Sequence, residues 1–229
     1  MSREADGVWQ KADAKQQKGW LRSGSVPADY PDPVAADYPE LLTIIRERAK
    51  PERDKLANGD TTARDRARRW WQFGRPTMKL YSTIAGMGRV LVISTQATKF
   101  VAPEFVSIDI VFSNAVAVLT LDKYRDFLVL NSSPHDIWAR EYASSLESRL
   151  RYAIDDCFQT FPFPLNLSGL DAIGERYYTH CQHIMQTRRE GLTATYNRFH
   201  NPNERAPDIQ QLRDLHVEMD RAVAAAYGW

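Results

Sequence analysis

The chain has 229 residues, of which 43% are hydrophobic and 26% charged, and its net charge at pH 7 is +1. That composition suits a soluble globular protein with one large domain or two small ones, and the near-zero overall charge selects no partner class. Two cysteines exclude a disulfide framework, and apolar runs such as Ala115 to Leu119 fall far short of the roughly 20 residues that cross a bilayer, so no membrane partner is expected.

The first ten residues, MSREADGVWQ, lack the apolar stretch of a secretion signal, and a reducing, cytoplasmic setting is expected. Residues 1–40 are polar and punctuated by Gly7, Gly19, Gly24, Pro27, Pro31, Pro33 and Pro39, which predicts a mostly extended arm. Trp9 and Trp20 stand out in it, because an exposed arm rarely carries indoles without a surface to lay them on.

Residues 41–75 form a basic helical connector. Leu41, Ile44, Ile45 and Arg48 have the spacing of a short amphipathic helix, with Asp37 ahead of Pro39 as its start signal. A second helix from about Thr61 towards Trp70 and Trp71 would present Arg64 and Arg68 on one face, with Arg69 beside them. Such a face suits either the tracking of phosphates or an ordinary salt-bridged surface, since acids are interleaved with the bases.

Residues 76–165 read as an α/β module. Lys79 to Ala85 predicts a helical turn that Gly86 and Gly88 break, and RVLVIS (Arg89 to Ser94) predicts a buried strand. Phe105 to Phe112 and Ala115 to Leu121 are two further β-rich runs. Phe127 to Asn131 fits either a fourth strand or the start of the helix expected from Pro134 to Tyr142. Then comes SSLESRLRYAIDDCFQTFPFP, Ser144 to Pro164. Extended, it places Glu147, Arg149 and Arg151 on one side. A carboxylate can accept from the cytosine amine and a guanidinium can span guanine O6 and N7, so this face has base-reading chemistry; it is equally the pattern of a solvated edge with an intrastrand ion pair. Phe158 to Pro164 mixes aromatics with prolines, cannot continue a helix, and turns the chain.

Residues 166–229 are a helical segment. One helix carries Leu170, Ile173, Tyr177, Cys181, Ile184 and Arg188 on a stripe, with Gly191 placed to end it; another begins at Asp208, turns Ile209, Leu212, His216, Met219 and Val223 inward, and ends near Gly228.

Catalytic signatures are scarce. No two prolines are adjacent, so no Asn-Pro-Pro-Tyr or Asp-Pro-Pro-Tyr motif exists to hold an amino group for methyl transfer. Gly86-Met87-Gly88 precedes a strand, whereas a cofactor-binding glycine turn follows one. His180, Cys181 and His183 lack the paired Cys-x-x-Cys of a zinc site. His135 and His216 show no nucleophile partner, and no Gly-x-Ser-x-Gly elbow is present.

Four stretches, in order, resemble a known family: Trp70 to Ser94, Ser144 to Pro164, Glu190 to Pro202 (EGLTATYNRFHNP) and Leu212 to Trp229. They are similar to the C-terminal part of MmeI-like DNA methyltransferases, the type IIG restriction-modification enzymes and related phage-defence adenine methylases. The resemblance implies an α+β target-recognition module with a small mixed sheet, flanking helices and a C-terminal helical segment. It implies that Glu147, Arg149 and Arg151 set base identity, that Gln96, Thr98, Lys99, Asn131, Ser132 and Ser133 touch groove or backbone, and that Arg64, Arg68 and Arg69 position the duplex. Double-stranded DNA is the implied partner, together with a methyltransferase core, in trans or in an intact parent protein, that binds S-adenosylmethionine; this chain would hold no cofactor or metal and would not be catalytic alone. Three other outcomes stay open: a protein-interaction module docking through the tryptophan-bearing arm, an enzyme using His135 or the His180 and His183 pair, or a non-functional fragment of a split methyltransferase gene.

Overall fold

The computed structural model describes residues 1–72, 77–146 and 149–229. The chain divides into two compact units, Met1–Met78 and Lys79–Trp229.

The first unit is helical. Contrary to the expectation of an extended arm, residues 14–23 form a full helix, α1 (Ala14–Ser23). Its ends explain it: Asp13 accepts from the Gln16 N–H at 2.8 Å, and Gly24 closes the other end at φ 81°. That glycine is required twice over, because a Cβ there would fall 2.1 Å from Cζ2 of the Trp71 indole. Trp9 and Trp20 lie with ring centroids 6.0 Å apart, and Trp9 meets the Tyr30 edge at 4.6 Å. The Pro-rich loop that follows is organised by Arg3, whose guanidinium donates to both Asp37 carboxylate oxygens at 2.9 Å and to the carbonyls of Ala28, Tyr30 and Asp32. Beyond it come α2 (Pro39–Arg48), α3 (Lys50–Asp54) and α4 (Thr61–Arg68). The apolar stripe of α2 is exposed, with Leu41 at 58% and Ile44 at 47%.

The second unit begins one residue into α5 (Met78–Ile84), which is followed by a sheet of β1 (Arg89–Ser94), β2 (Glu104–Ser107) and β3 (Val116–Leu119) in the order β2-β1-β3. The α+β class is as expected, but every pairing between these described strands is antiparallel rather than mixed. Phe127 to Asn131 resolves as helix, the greater part of α6 (Tyr124–Asn131), and α7 (Ser133–Tyr142) starts afresh after Ser132. The restart is fixed from a distance: Asp220 accepts from the Ser133 N–H at 2.8 Å and from its hydroxyl at 2.6 Å. A two-stranded ladder, β4 (Ser144–Leu146) with β5 (Arg149–Arg151), follows, then a wide helical turn over Ile154–Phe158.

Three helices complete the unit: α8 (Leu170–Arg188), α9 (Leu192–Phe199) and α10 (Pro207–Tyr227). Their predicted inward residues are buried, including Leu170, Tyr177, Cys181, Ile184, Ile209, Leu212, Met219 and Val223. Gly191 does not end α8. Arg189 takes the left-handed position at φ 53°, and Gly191 instead caps the start of α9 in extended conformation. Where α8 crosses α6 the backbones nearly touch at Gly174: a Cβ there would lie 2.3 Å from the Tyr124 carbonyl oxygen.

Candidate nucleic-acid interface

The β4–β5 ladder sets Ser144 opposite Arg151, Ser145 opposite Leu150 and Leu146 opposite Arg149. Glu147 falls between the two strands in sequence and lies outside the described residues. Along β5 the alternation of a half-buried strand is explicit: Leu150 and Tyr152 are buried, at 5% and 2% exposure, while Arg151 between them is exposed. Arg151 therefore sits on the face opposite to the core.

Two anchors hold that face in place. The first is a buried polar chain. His135, fully buried, donates from Nδ1 to the Leu130 carbonyl at 2.7 Å and accepts at Nε2 from the Tyr152 hydroxyl at 3.0 Å. Burial depresses the imidazole to a pKa of about 4 and pushes the Tyr152 phenol up, so both stay neutral and the pair keeps this sense. Phe161 closes over the imidazole edge-on at 4.8 Å. Its neighbour Pro162 accepts from the Tyr227 hydroxyl at 2.7 Å, tying the turn after the strand to the end of α10.

The second anchor joins the β1–β2 loop to the same strand. Thr98 and Leu150 exchange both backbone hydrogen bonds, at 2.9 and 2.8 Å, in an antiparallel bridge. Thr98 thus acts mainly through its backbone, and its hydroxyl donates to the Phe100 carbonyl at 2.9 Å. The bridge leaves Gln96 and Lys99 exposed on either side, with the antiparallel sense carrying Lys99 towards position 149. The Lys99 ammonium lies 5.0 Å from the Phe100 ring centroid, and Arg140, paired to Asp136 at 2.7 Å, donates to the Lys99 carbonyl.

Asn131 and Ser132 do not belong to this surface. The expectation read a polar triplet as an exposed turn, but it is the buried junction of α6 and α7. Asn131 donates to the Phe127 carbonyl at 3.0 Å and accepts from the Tyr196 hydroxyl at 2.9 Å, and the Ser132 hydroxyl donates to Val129 at 2.6 Å. Both are saturated inward, at 7% and 0% exposure. Ser133 is likewise committed to Asp220. Arg64, Arg68 and Arg69 lie in the first unit: Arg64 is exposed on α4, while Arg68 and Arg69 share Asp65 at 3.1 and 3.0 Å.

The residues that sequence reasoning passed over are the inward partners, Leu150, Tyr152 and His135. Their signal was present in the run Arg-Leu-Arg-Tyr, where arginines alternate with an apolar and an aromatic residue. Among the described residues no group of three or more His, Cys, Asp or Glu side chains is placed to hold a metal ion, and no helix is long and apolar enough to cross a membrane.

A short arginine-bearing strand, braced from beneath and flanked by a polar loop, defines a recognition module of the α+β class. The chain belongs to the MmeI target recognition domain family, whose model matches residues 34–165. A solved structure described as the Type IIL restriction-modification enzyme MmeI in complex with DNA has the same fold, with a TM-score of 0.64 and 22% identity over 85% of this chain and 25% of that one. This chain therefore spans about a quarter of that relative's length. No curated protein matches it.

Proposed function

We propose that this chain reads the sequence of double-stranded DNA for an adenine methyltransferase system, with Glu147, Arg149 and Arg151 addressing base edges. Methyl transfer from S-adenosylmethionine is then the work of a catalytic core, encoded separately or elsewhere in an intact parent protein, and this chain itself holds no cofactor. The observation that carries the reading is the alternation in β5: Arg151 is turned outward while Leu150 and Tyr152 are fastened inward, so its strand is displayed from a rigid base. Gln96 and Lys99 flank the strand across the Thr98 bridge and serve backbone or groove; Arg64, Arg68 and Arg69 add nonspecific attraction.

A second reading, docking of a protein partner, draws on one feature. An aromatic groove of about 870 Å³ runs between α7, the Phe161–Leu165 segment and the end of α10, with Ile137 and Trp229 exposed on it. Selection from a randomised duplex library, with and without a methyltransferase core, separates the two. Base reading gives an enriched motif, an affinity that falls linearly in log salt, and a loss of about 1–3 kcal/mol at one base position for Arg151→Ala. Absence of any salt-dependent duplex affinity in either condition refutes it.

A further inference from the structure

The stretch Glu190 to Pro202 has no role in the reading above, yet α9 runs beside the loop that braces the reading strand. Its inner face is committed to the core through Thr195 and Tyr196, at 0% and 8% exposure. Its outer stripe is Thr193, Asn197 and His200, spaced by four and three residues and all exposed. Thr193 and Asn197 line a cleft of about 350 Å³ with Lys99 and Phe100, and His200 stacks flat on Phe100, centroids 4.3 Å apart and planes 5° from parallel.

We infer that Thr193, Asn197 and His200 of α9, with Lys99, form a ridge that grips the phosphates of the DNA backbone next to the bases read by β5. The inference rests on the base-reading proposal and extends it to a helix that nothing in that proposal uses. Three arguments support it. Lys99 is one residue from the Thr98–Leu150 bridge, so the ridge and the reading strand are consecutive parts of one surface. Amide and hydroxyl side chains and a lysine ammonium all donate to phosphate oxygens, so every member of the stripe can contact the backbone. The stripe spans roughly 10 Å of helix axis, which matches about three phosphates of one strand at about 3.4 Å of duplex axis each. The nearby acids do not oppose an anion freely: Glu190 and Glu204 are both paired with Arg198, and Asp136 with Arg140. Burial depresses the His200 imidazole, so at neutral pH it offers a neutral N–H.

The test uses the full chain and duplexes carrying the selected motif or a scrambled one, with binding followed by anisotropy over a salt series. Thr193→Ala with Asn197→Ala is expected to weaken both duplexes alike by roughly tenfold, the net worth of two hydrogen bonds. Lys99→Ala should reduce the log–log salt slope by about 0.9. His200→Phe keeps the stack on Phe100 and removes the N–H, and is expected to weaken binding by roughly threefold. The substituted side chains are exposed or stack-conserving, and thermal melts confirm folding. Wild-type affinity and slope in all of these, while Arg151→Ala still alters base preference, overturn the ridge and leave the reading standing. A changed motif on substitution of Thr193 or Asn197 also overturns it, since α9 would then read bases. A wild-type chain without duplex affinity removes both.

Discussion

Tyr152→Phe tests the buried chain that fastens the reading strand. The substitution removes one oxygen and leaves the ring packing intact, but it strips His135 Nε2 of its donor at a fully buried site. An orphaned buried acceptor costs about 1–3 kcal/mol. In the second unit, of about 150 residues, 2 kcal/mol corresponds to a melting shift of roughly 4–8 °C. Differential scanning calorimetry of the full chain at pH 7.5 gives the shift. A double-mutant cycle with His135→Leu isolates the pair, and a coupling of about 1–2 kcal/mol is expected because the two side chains share one bond. A coupling near zero, or a Tyr152→Phe chain that melts with the wild type, would refute the anchor and with it the claim that Arg151 is displayed from a rigid base.

Two further outcomes follow from groups in the same unit. His135, neutral in the fold with a pKa of about 4 against 6.5 when free, takes up its proton only on unfolding between those values. Its contribution is complete above pH 6.5 and is lost as pH falls towards 4, by about 3 kcal/mol. Glu104 has the opposite sign: burial raises its carboxyl to about 7 from 4.5, so stability falls as pH rises through that window. Melting temperature against pH for Glu104→Gln should therefore lack the loss above pH 4.5 and keep the one due to His135. Gly174→Ala forces a Cβ against the Tyr124 carbonyl at the α6–α8 crossing and is expected to cost about 1–3 kcal/mol, read from urea unfolding; an unchanged midpoint would mean the helices separate freely.

The helical half of the second unit was legible because its signals are local. In α8 and α10 the apolar spacing lies within the elements it shapes, and Gly228 directly follows the helix it ends. Two of the difficulties have the opposite property, a deciding partner far along the chain. Asn131 and Ser132 look like an exposed turn until Tyr196, 65 residues on, is seen accepting the role of partner to Asn131. The break between α6 and α7 depends on Asp220, 87 residues from Ser133. In the arm, glycines and prolines outweighed Asp13 and Gly24, though that pair alone marks both ends of α1. The stripe of α2 was legible as a helix, but its exposure was not, since a periodicity states which residues share a face and not whether anything covers it.

The strand that carries the proposed reading residues separates display from support at single-residue resolution. Leu150 and Tyr152 hold β5 through a backbone bridge, the core and a histidine, and Arg151 takes part in none of these bonds. A substitution at an exposed side chain typically changes stability by within about 0.5 kcal/mol, whereas the same substitution in a base contact is worth about 1–3 kcal/mol of discrimination. The two ranges do not overlap. If position 151 reads bases as proposed, recognition there is free to change while the fold is held constant, provided each replacement keeps the backbone extended and leaves the inward residues alone. The constraint falls on the alternation of β5 and not on the identity of its outward side chains, which is the physical condition for a module whose fold is fixed and whose target is not.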